Sequence, residues 1–327
     1  MVDEVGRDLL RGVEIELTLA GERRDHGGQH TPEGRGLGGE RRRHASEATA
    51  CRPVADDRQD GGVNERTDED IYDIDTASAP RGDGIRDLRL TDRWNTPLGK
   101  PNGGYILAAM LRGLGDELGS GDPLVASITY LASPETGAAE LRTRPLRIGR
   151  RVQTGTASLW EGERHVAEMT ASFGDRSGGE SHELGTPPEL RPPDECIDPR
   201  EHGAPGGGLF DRVDYRIDQV PGFFVGRPSG DPTMTAWQRL SGGREIDFPA
   251  LGLLCDSFVP PIVELGEGFN SMTVQLTVHL HRLPRPGWVA TRLTTRHVVN
   301  GFHEEDCELW DEDGNLLAQS RQLGILL

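Results

Sequence analysis

Asp247-Phe248-Pro249-Ala250-Leu251-Gly252-Leu253-Leu254-Cys255-Asp256-Ser257-Phe258 opens like a buried helix and then places a carboxylate inside it. Asp247 is a good N-cap, and Pro249 falls in the first turn, where a missing N–H costs nothing. The residues that follow are apolar on every face, which predicts burial rather than a surface helix. Asp256 then arrives two turns in. A buried carboxylate must be paired, protonated or used in chemistry.

Working outward, a similar element stands earlier. Pro101-Asn102-Gly103-Gly104-Tyr105 leads into Ile106-Leu107-Ala108-Ala109-Met110-Leu111, a glycine-rich entry to an apolar helix. It is not a G-x-x-x-x-G-K phosphate loop. Glycines at a helix start let a ligand approach free backbone N–H groups, or let the helix pack closely on a neighbour. Strand signals surround each helix. Ile85–Leu90, Leu124–Leu131, Glu140–Arg147, Arg151–Trp160 and His165–Phe173 accompany the first. Phe210–Ile217, Thr233–Leu240, Ser271–Arg282, Trp288–Val298, Phe302–Trp310 and the segment from Leu316 onward accompany the second. One buried helix with consecutive antiparallel strands predicts an α+β unit in which a sheet wraps a helix.

The two series superpose at one offset. Trp160 falls on Trp310 (310 − 160 = 150), Pro134 on Pro284, and Gly137 on Gly287. At the same offset Asp256 falls on Ile106 and Thr273 on Pro123; one residue further along, Gln322 falls on Ala171. The second copy therefore carries polar groups where the first is apolar. Shared structural need does not predict that difference, which favours a functional Asp256. The expected organisation is a disordered tail over 1–67, a first domain over 68–174, a Gly/Pro/Ser/Glu-rich linker over 175–209 and a second domain over 210–327.

Composition narrows the classes. The 327 residues carry a formal charge of −18, which repels nucleic acid and anionic membranes. The 44 glycines, 22 prolines and only 34% hydrophobic residues indicate that part of the chain lies outside any core. The basic run Arg41–His44 within that tail is expected to be solvated. Four scattered cysteines suit a reduced protein and show no zinc spacing. No apolar run reaches spanning length and no signal peptide stands at the start, so a cytoplasmic location is expected. No nucleophile elbow or Ser/His/Asp order is present, which disfavours a covalent mechanism. His279 and His281 lack a third ligand nearby and fit ordinary sheet packing. The run His303-Glu304-Glu305-Asp306 is expected to be an exposed strand start.

Asn102-Gly103-Gly104-Tyr105 opening an apolar helix, the Arg147–Arg151 strand pair and Leu254-Cys255-Asp256 together resemble the type II acyl-CoA thioesterases. So do Met272-Thr273-Val274 with His281-Arg282, and Ala318-Gln319-Ser320-Arg321-Gln322. The resemblance covers about residues 68–327. It implies two tandem hotdog domains, each an antiparallel sheet around a central helix, joined through one continuous sheet. It also implies acyl-CoA hydrolysis by a water oriented by Asp256, Thr273 and Gln322. No cofactor is needed, and further association into a homo-oligomer is possible. Asp256 would accept the proton, Thr273 and Gln322 would orient the water, and a helix-start amide near Gly103 or Gly104 could hold the carbonyl oxygen. Arg147, Arg150 and Arg151 form a local basic cluster suited to coenzyme A phosphates; a solvated strand end is the plainer alternative.

The chain departs from the family pattern beside the threonine, where Gln275, Leu276 and Thr277 stand, so Thr277 and Ser271 are fallback candidates. A different class of function is an acyl-CoA binding protein without turnover. A hotdog dehydratase or hydratase would need a histidine near the start of a buried helix, and no histidine stands there.

Overall fold

The computed structural model describes residues 68–119, 121–204, 206–266 and 271–327. The expectations for the tail over 1–67, including Arg41–His44, lie outside the described residues.

Asn102 and Asp247 cap the two central helices. The Asn102 Oδ1 accepts the Tyr105 N–H at 3.0 Å and starts α2, Gly103–Leu118; an earlier short helix, α1, spans Asp68–Thr76. Gly119 closes α2 in the left-handed region at φ 70°, a conformation that favours glycine. Asp247 accepts the Ala250 N–H at 2.8 Å and starts α3, Phe248–Leu254, with Pro249 in its first turn. Tyr105 through Leu111, and Ala250 through Leu254, are buried, as their all-apolar sequence dictates.

α3 is shorter than its sequence suggests. It stops after seven residues, and Asp256 lies in the turn beyond it, with its N–H on the Leu253 carbonyl at 3.0 Å. Polar partners compete with further helix. The Asn102 Nδ2 donates to the Asp256 carbonyl at 2.8 Å, the Tyr215 hydroxyl to the Ser257 carbonyl at 2.6 Å, and the Ser257 hydroxyl to Gln238. Pro260 and Pro261 then bar an α-helical continuation, leaving a single 3₁₀ stretch, Pro261–Leu265. The helix overlay at offset 150 is corrected accordingly. N-cap to N-cap the separation is 247 − 102 = 145. Leu107 and Gly252, also 145 apart, meet where the helices cross: a Cβ on Gly252 would come within 2.6 Å of the Leu107 Cδ2. The counterpart of Asp256 in α2 is thus Leu111, not Ile106; both are apolar and buried.

The strands are β1 (Ser78–Gly82), β2 (Ile85–Leu90), β3 (Asp122–Tyr130), β4 (Gly137–Ile148), β5 (Val152–Glu161) and β6 (Arg164–Gly174). The second set is β7 (Val213–Arg216), β8 (Thr233–Leu240), β9 (Ser271–Leu280), β10 (Val289–Thr294), β11 (Val298–Val299), β12 (Phe302–Trp310) and β13 (Leu316–Leu326). Phe210 falls in a 3₁₀ turn ahead of β7, and the expected strand over Trp288–Val298 breaks into β10 and β11.

All strands share one sheet in the order β1-β2-β4-β5-β6-β3-β9-β13-β12-β10-β8-β7, with β11 beside β12. Every pairing is antiparallel. The order is a palindrome of two tandem hotdogs: β3 answers β9, β6 answers β13, β5 answers β12, and so on outward. The halves join through β3 and β9. There Ser127 lies opposite Thr277, its own counterpart (277 − 127 = 150), and their hydroxyls bond at 2.8 Å. The pseudo-twofold axis therefore passes between these two side chains.

Candidate active site

Asp256 sits where the end of α3 crosses the start of α2. Its Oδ2 accepts the Gly104 N–H at 2.7 Å and the Asn102 Nδ2 at 3.3 Å. Asn102 therefore caps α2 with its oxygen and holds the Asp256 turn with its nitrogen. Burial pushes the Asp256 carboxyl up to about 6, against the opposing pull of the Gly104 and Asn102 donors. Tyr130 stands beside it, donating to the Gly103 carbonyl at 2.8 Å; burial, and then the Asp256 charge, hold that phenol well above its ordinary range.

The two glycines are demanded by this crossing. A Cβ on Gly103 would lie 2.8 Å from both the Asp256 Oδ2 and the Tyr130 hydroxyl, and one on Gly104 would lie 2.7 Å from the Leu253 carbonyl oxygen. The close partner is thus a second helix. The Gly104 amide, which sequence alone offers to a substrate carbonyl, is engaged by Asp256 instead.

Thr273 reaches the inner face of the sheet through a β-bulge. Along β9, Leu276, Val278 and Leu280 are buried on that face, and simple alternation would put Thr273 on the other. The register shifts here: Leu323 pairs with Gln275 and Gly324 with Thr273, leaving Val274 as the extra residue. The bulge turns Thr273 inward. Its hydroxyl then donates to the Gln322 Oε1 at 2.7 Å. Of the fallback candidates, Thr277 lies on the outer face at the pseudo-axis, and Ser271 is the first residue of β9, opposite Leu326.

Gln322 leads to a residue outside the expected set. Its Nε2 donates to the Glu305 Oε1 at 2.6 Å. Glu305 is 3% exposed and the neighbouring His303 is 2% exposed, which corrects the expected exposed strand start. The signal was present in the alternation of β12: Leu309 and Cys307 are core residues, and counting back by twos gives Glu305 and His303. Burial, then the Asp256 charge, push the Glu305 carboxyl up to about 8, with the Gln322 donor opposing. Burial likewise holds the His303 imidazole below its ordinary value. The Glu305 Oε2 and His303 Nε2 have no hydrogen-bond partner. Cys307 and Cys255, distant in sequence, are both buried, and the Cys255 thiol, then burial, holds the Cys307 thiol well above its ordinary range.

Asp256, Gly103 and Gly104 thus meet at one crossing, α3 packs on β9 and β13, and the Thr273–Gln322–Glu305 chain on those strands and β12 is tied to the crossing by the charge of Asp256 on Glu305. The three arginines are not. Arg147, Arg150 and Arg151 are exposed at the β4–β5 hairpin. That hairpin lies at the far end of α2: Gly155 faces Leu114 and Leu118, and Val152 pairs with Gly174, itself opposite Asp122 just beyond the helix. A 16-residue helix spans about 24 Å, which separates the cluster from Gly103.

Among the described residues no helix is long and apolar enough to cross a membrane. A family profile described as the acyl-CoA thioesterase N-terminal domain matches residues 90–174, and one described as the C-terminal domain matches residues 193–326. The chain is 27% identical to an uncharacterised protein of Mycobacterium tuberculosis over 230 residues, 62% of this chain and 76% of that one. A solved structure of a putative thioesterase II from Thermobifida fusca superposes with TM-score 0.71 at 27% identity, over 78% of this chain and 97% of that one. A structure described as an acyl-CoA thioesterase II from Mycobacterium marinum superposes with TM-score 0.63 at 16% identity, over 78% and 98% of the two chains.

Proposed function

Since the chain belongs to the acyl-CoA thioesterase family, we propose that it hydrolyses an acyl-CoA thioester at Asp256, Thr273 and Gln322 to a free acid and coenzyme A. The observation that carries this reading is a buried Asp256 carboxyl, raised to about 6, whose charge bears on Glu305, the residue that receives Gln322 of the hydrogen-bonded Thr273–Gln322 pair.

Asp256 is mostly ionised at neutral pH, so it can accept a proton from water. Thr273 spends its own hydrogen on Gln322, which leaves its oxygen lone pairs to accept a hydrogen bond from that water. The water oxygen adds to the thioester carbonyl carbon as its proton passes to Asp256. Gln322 keeps a second Nε2 hydrogen beyond the one given to Glu305, a donor for the developing oxyanion. Collapse breaks the carbon–sulfur bond, and the leaving thiolate takes the proton back from Asp256. No covalent acyl-enzyme forms and no cofactor is consumed.

Incubation with a panel of acyl-CoAs, with free thiol as the readout, tests the reading. Thiol release that saturates with one class of acyl chain is the expected result. Saturable acyl-CoA binding without thiol release would instead make this a binding protein and overturn hydrolysis.

A further inference from the structure

We propose that Glu305 is a positioning residue of this site: by receiving the Gln322 amide nitrogen it fixes the amide so that its oxygen faces Thr273. This rests on the thioesterase reading above.

A side-chain amide has two orientations that differ by a half turn and exchange its oxygen for its nitrogen. On this inner face Gln322 stands between two groups. Thr273 can donate or accept. Glu305, as a carboxylate or through the carbonyl oxygen of its acid form, accepts. Nitrogen toward Glu305 and oxygen toward Thr273 satisfies both, with contacts of 2.6 Å and 2.7 Å. Without Glu305 the amide could turn, and Thr273 would then accept from it. The threonine hydrogen would be released to point at the water, and the oxygen lone pair that should receive the water would be engaged.

The environment of Glu305 fits a role in chemistry better than one in packing. A buried carboxyl with no cation beside it costs stability, and among the described residues Glu305 receives its one side-chain hydrogen bond from Gln322. It faces Asp256 on the turn after α3, Gln322 on β13, and His303 and Cys307 on its own strand; Asp306 is held elsewhere by Arg296 and Arg321. Thr295, which follows the Thr294 partner of Asp306, has a buried hydroxyl without a partner, as does the Glu305 Oε2. No arginine or lysine pairs with Glu305 among the described residues. Its neutral form therefore prevails below about pH 8, while Asp256 is charged above about 6. Two carboxyls in opposite protonation states leave one negative charge beside the thioester, and ionisation of the second would repel the oxyanion.

Steady-state kinetics of Glu305→Gln and Glu305→Leu, with crystal structures of both, test the proposal. Glu305→Gln keeps an acceptor for Gln322 and should retain most of kcat at pH 7 while losing the fall in rate near pH 8. Glu305→Leu should lower kcat about 10-fold to 100-fold with little change in KM, because the reacting groups are misplaced, and its structure should show Gln322 turned away from the donor of Thr273. A folded Leu variant with wild-type kcat, or a Gln variant that keeps the alkaline fall, overturns the proposal. Should Glu305→Leu fail to fold, the pH profile of Glu305→Gln decides. If the wild type releases no thiol from any acyl-CoA, the hydrolytic reading fails by itself. The orientation of Gln322 in the Leu variant then decides between Glu305 setting the amide and the amide holding its place unaided.

Discussion

The two hotdogs share a sheet plan and differ in how much helix covers it. In the first, α2 runs 16 residues; in the second, α3 runs seven. The consequence is visible at four matching positions. Leu111, Pro123, Gly155 and Ala171 stand in the first where Asp256, Thr273, Glu305 and Gln322 stand in the second. Gly155 is hemmed in by the far half of α2: a Cβ there would come within 2.9 Å of the Leu114 Cδ1. Phe173 fills the adjoining place against Gly115, where the second copy has Gly324 beneath His303. A long helix thus demands an apolar floor shaped to it, glycine at Gly155 beneath Leu114 and a ring at Phe173 beneath Gly115. A short one leaves the same floor open for a carboxyl, an amide and a hydroxyl that bond one another. The bulge itself cannot be the cause, because both copies have it, at Leu124 in β3 and Val274 in β9.

The sharpest way to break this comparison is to remove the one charge that the second copy adds at the crossing. Asp256→Asn keeps an oxygen for the Gly104 N–H but cannot take a proton. Its kcat should fall by about 100-fold to 10,000-fold, with circular dichroism unchanged. Because the wild-type carboxylate is buried and ionised at pH 8, the variant should melt no lower than wild type at that pH. Wild-type turnover would show that the polar crossing serves packing alone.

The converse substitution tests the floor. Gly155→Glu puts into the first copy the carboxyl that the second copy carries, but beneath Leu114 and with Ala171 rather than a glutamine opposite. Overpacking and an unpaired buried carboxyl should cost at least about 3 kcal/mol. In a chain of this size that lowers the melting temperature by about 5 °C. A loss of under about 2 °C in a thermal scan would show that helix cover does not decide what the floor tolerates.

What could be foreseen follows from which signals are local. The N-caps Asn102 and Asp247, the turns and the strand alternation are local, and they give two α+β units in tandem. The offset of 150 gives their symmetry. The end of α3 is not local: it is decided by Asn102, Tyr215 and Gln238 reaching Asp256 and Ser257 from elsewhere in the chain. The inward turn of Thr273 is also hidden, since alternation counted from Leu276 gives the wrong face until the bulge is known. Glu305 is the opposite case. Alternation from Leu309 already placed it inside, but a charged run beside His303 resembles a solvated edge. The arginines illustrate a further limit: adjacency to a turn says nothing about which end of a 24 Å helix the turn serves.

The bulge makes two threonines on one strand unequal. Thr273→Ala should lower kcat about 10-fold to 100-fold, because Gln322 loses its partner and the water loses an acceptor. Stability should carry the mark of the same site. Asp256 and Glu305 are acids whose folded pKa values, about 6 and about 8, stand above their ordinary values of 3.8 and 4.5. The folded state binds their protons more tightly than the unfolded chain does. Their contribution is therefore fully present below about pH 4 and lost as pH rises through 6 and then 8. His281 and His303, held below their ordinary value of 6.5, act in the opposite sense up to about pH 7. Thermal melts should therefore show the midpoint falling from about pH 7 to 8, and Glu305→Gln should flatten that part. A midpoint that rises from about pH 7 to 8 in wild type would contradict the buried, protonated state of Glu305.

The smallest effect is expected at the pseudo-axis itself, where the two copies are alike. Ser127 and Thr277 bond each other on the outer face, half-buried, and neither touches the polar row. Thr277→Val removes the bond to Ser127 and the one that its Oγ1 accepts from the Gln275 Nε2 at 2.7 Å, and should leave kcat and KM within about twofold of wild type. Its stability cost should be about 2 kcal/mol, that of two neutral hydrogen bonds. Ser127→Ala should cost about 1 kcal/mol, and the double variant no more than Thr277→Val alone, because the bond that Ser127 loses is already gone. Additive losses would mean that Ser127 has a partner other than Thr277 and that the axis does not run between them. A kinetic effect at Thr277 as large as that at Thr273 would move the site to the outer face and undo the role given to the bulge.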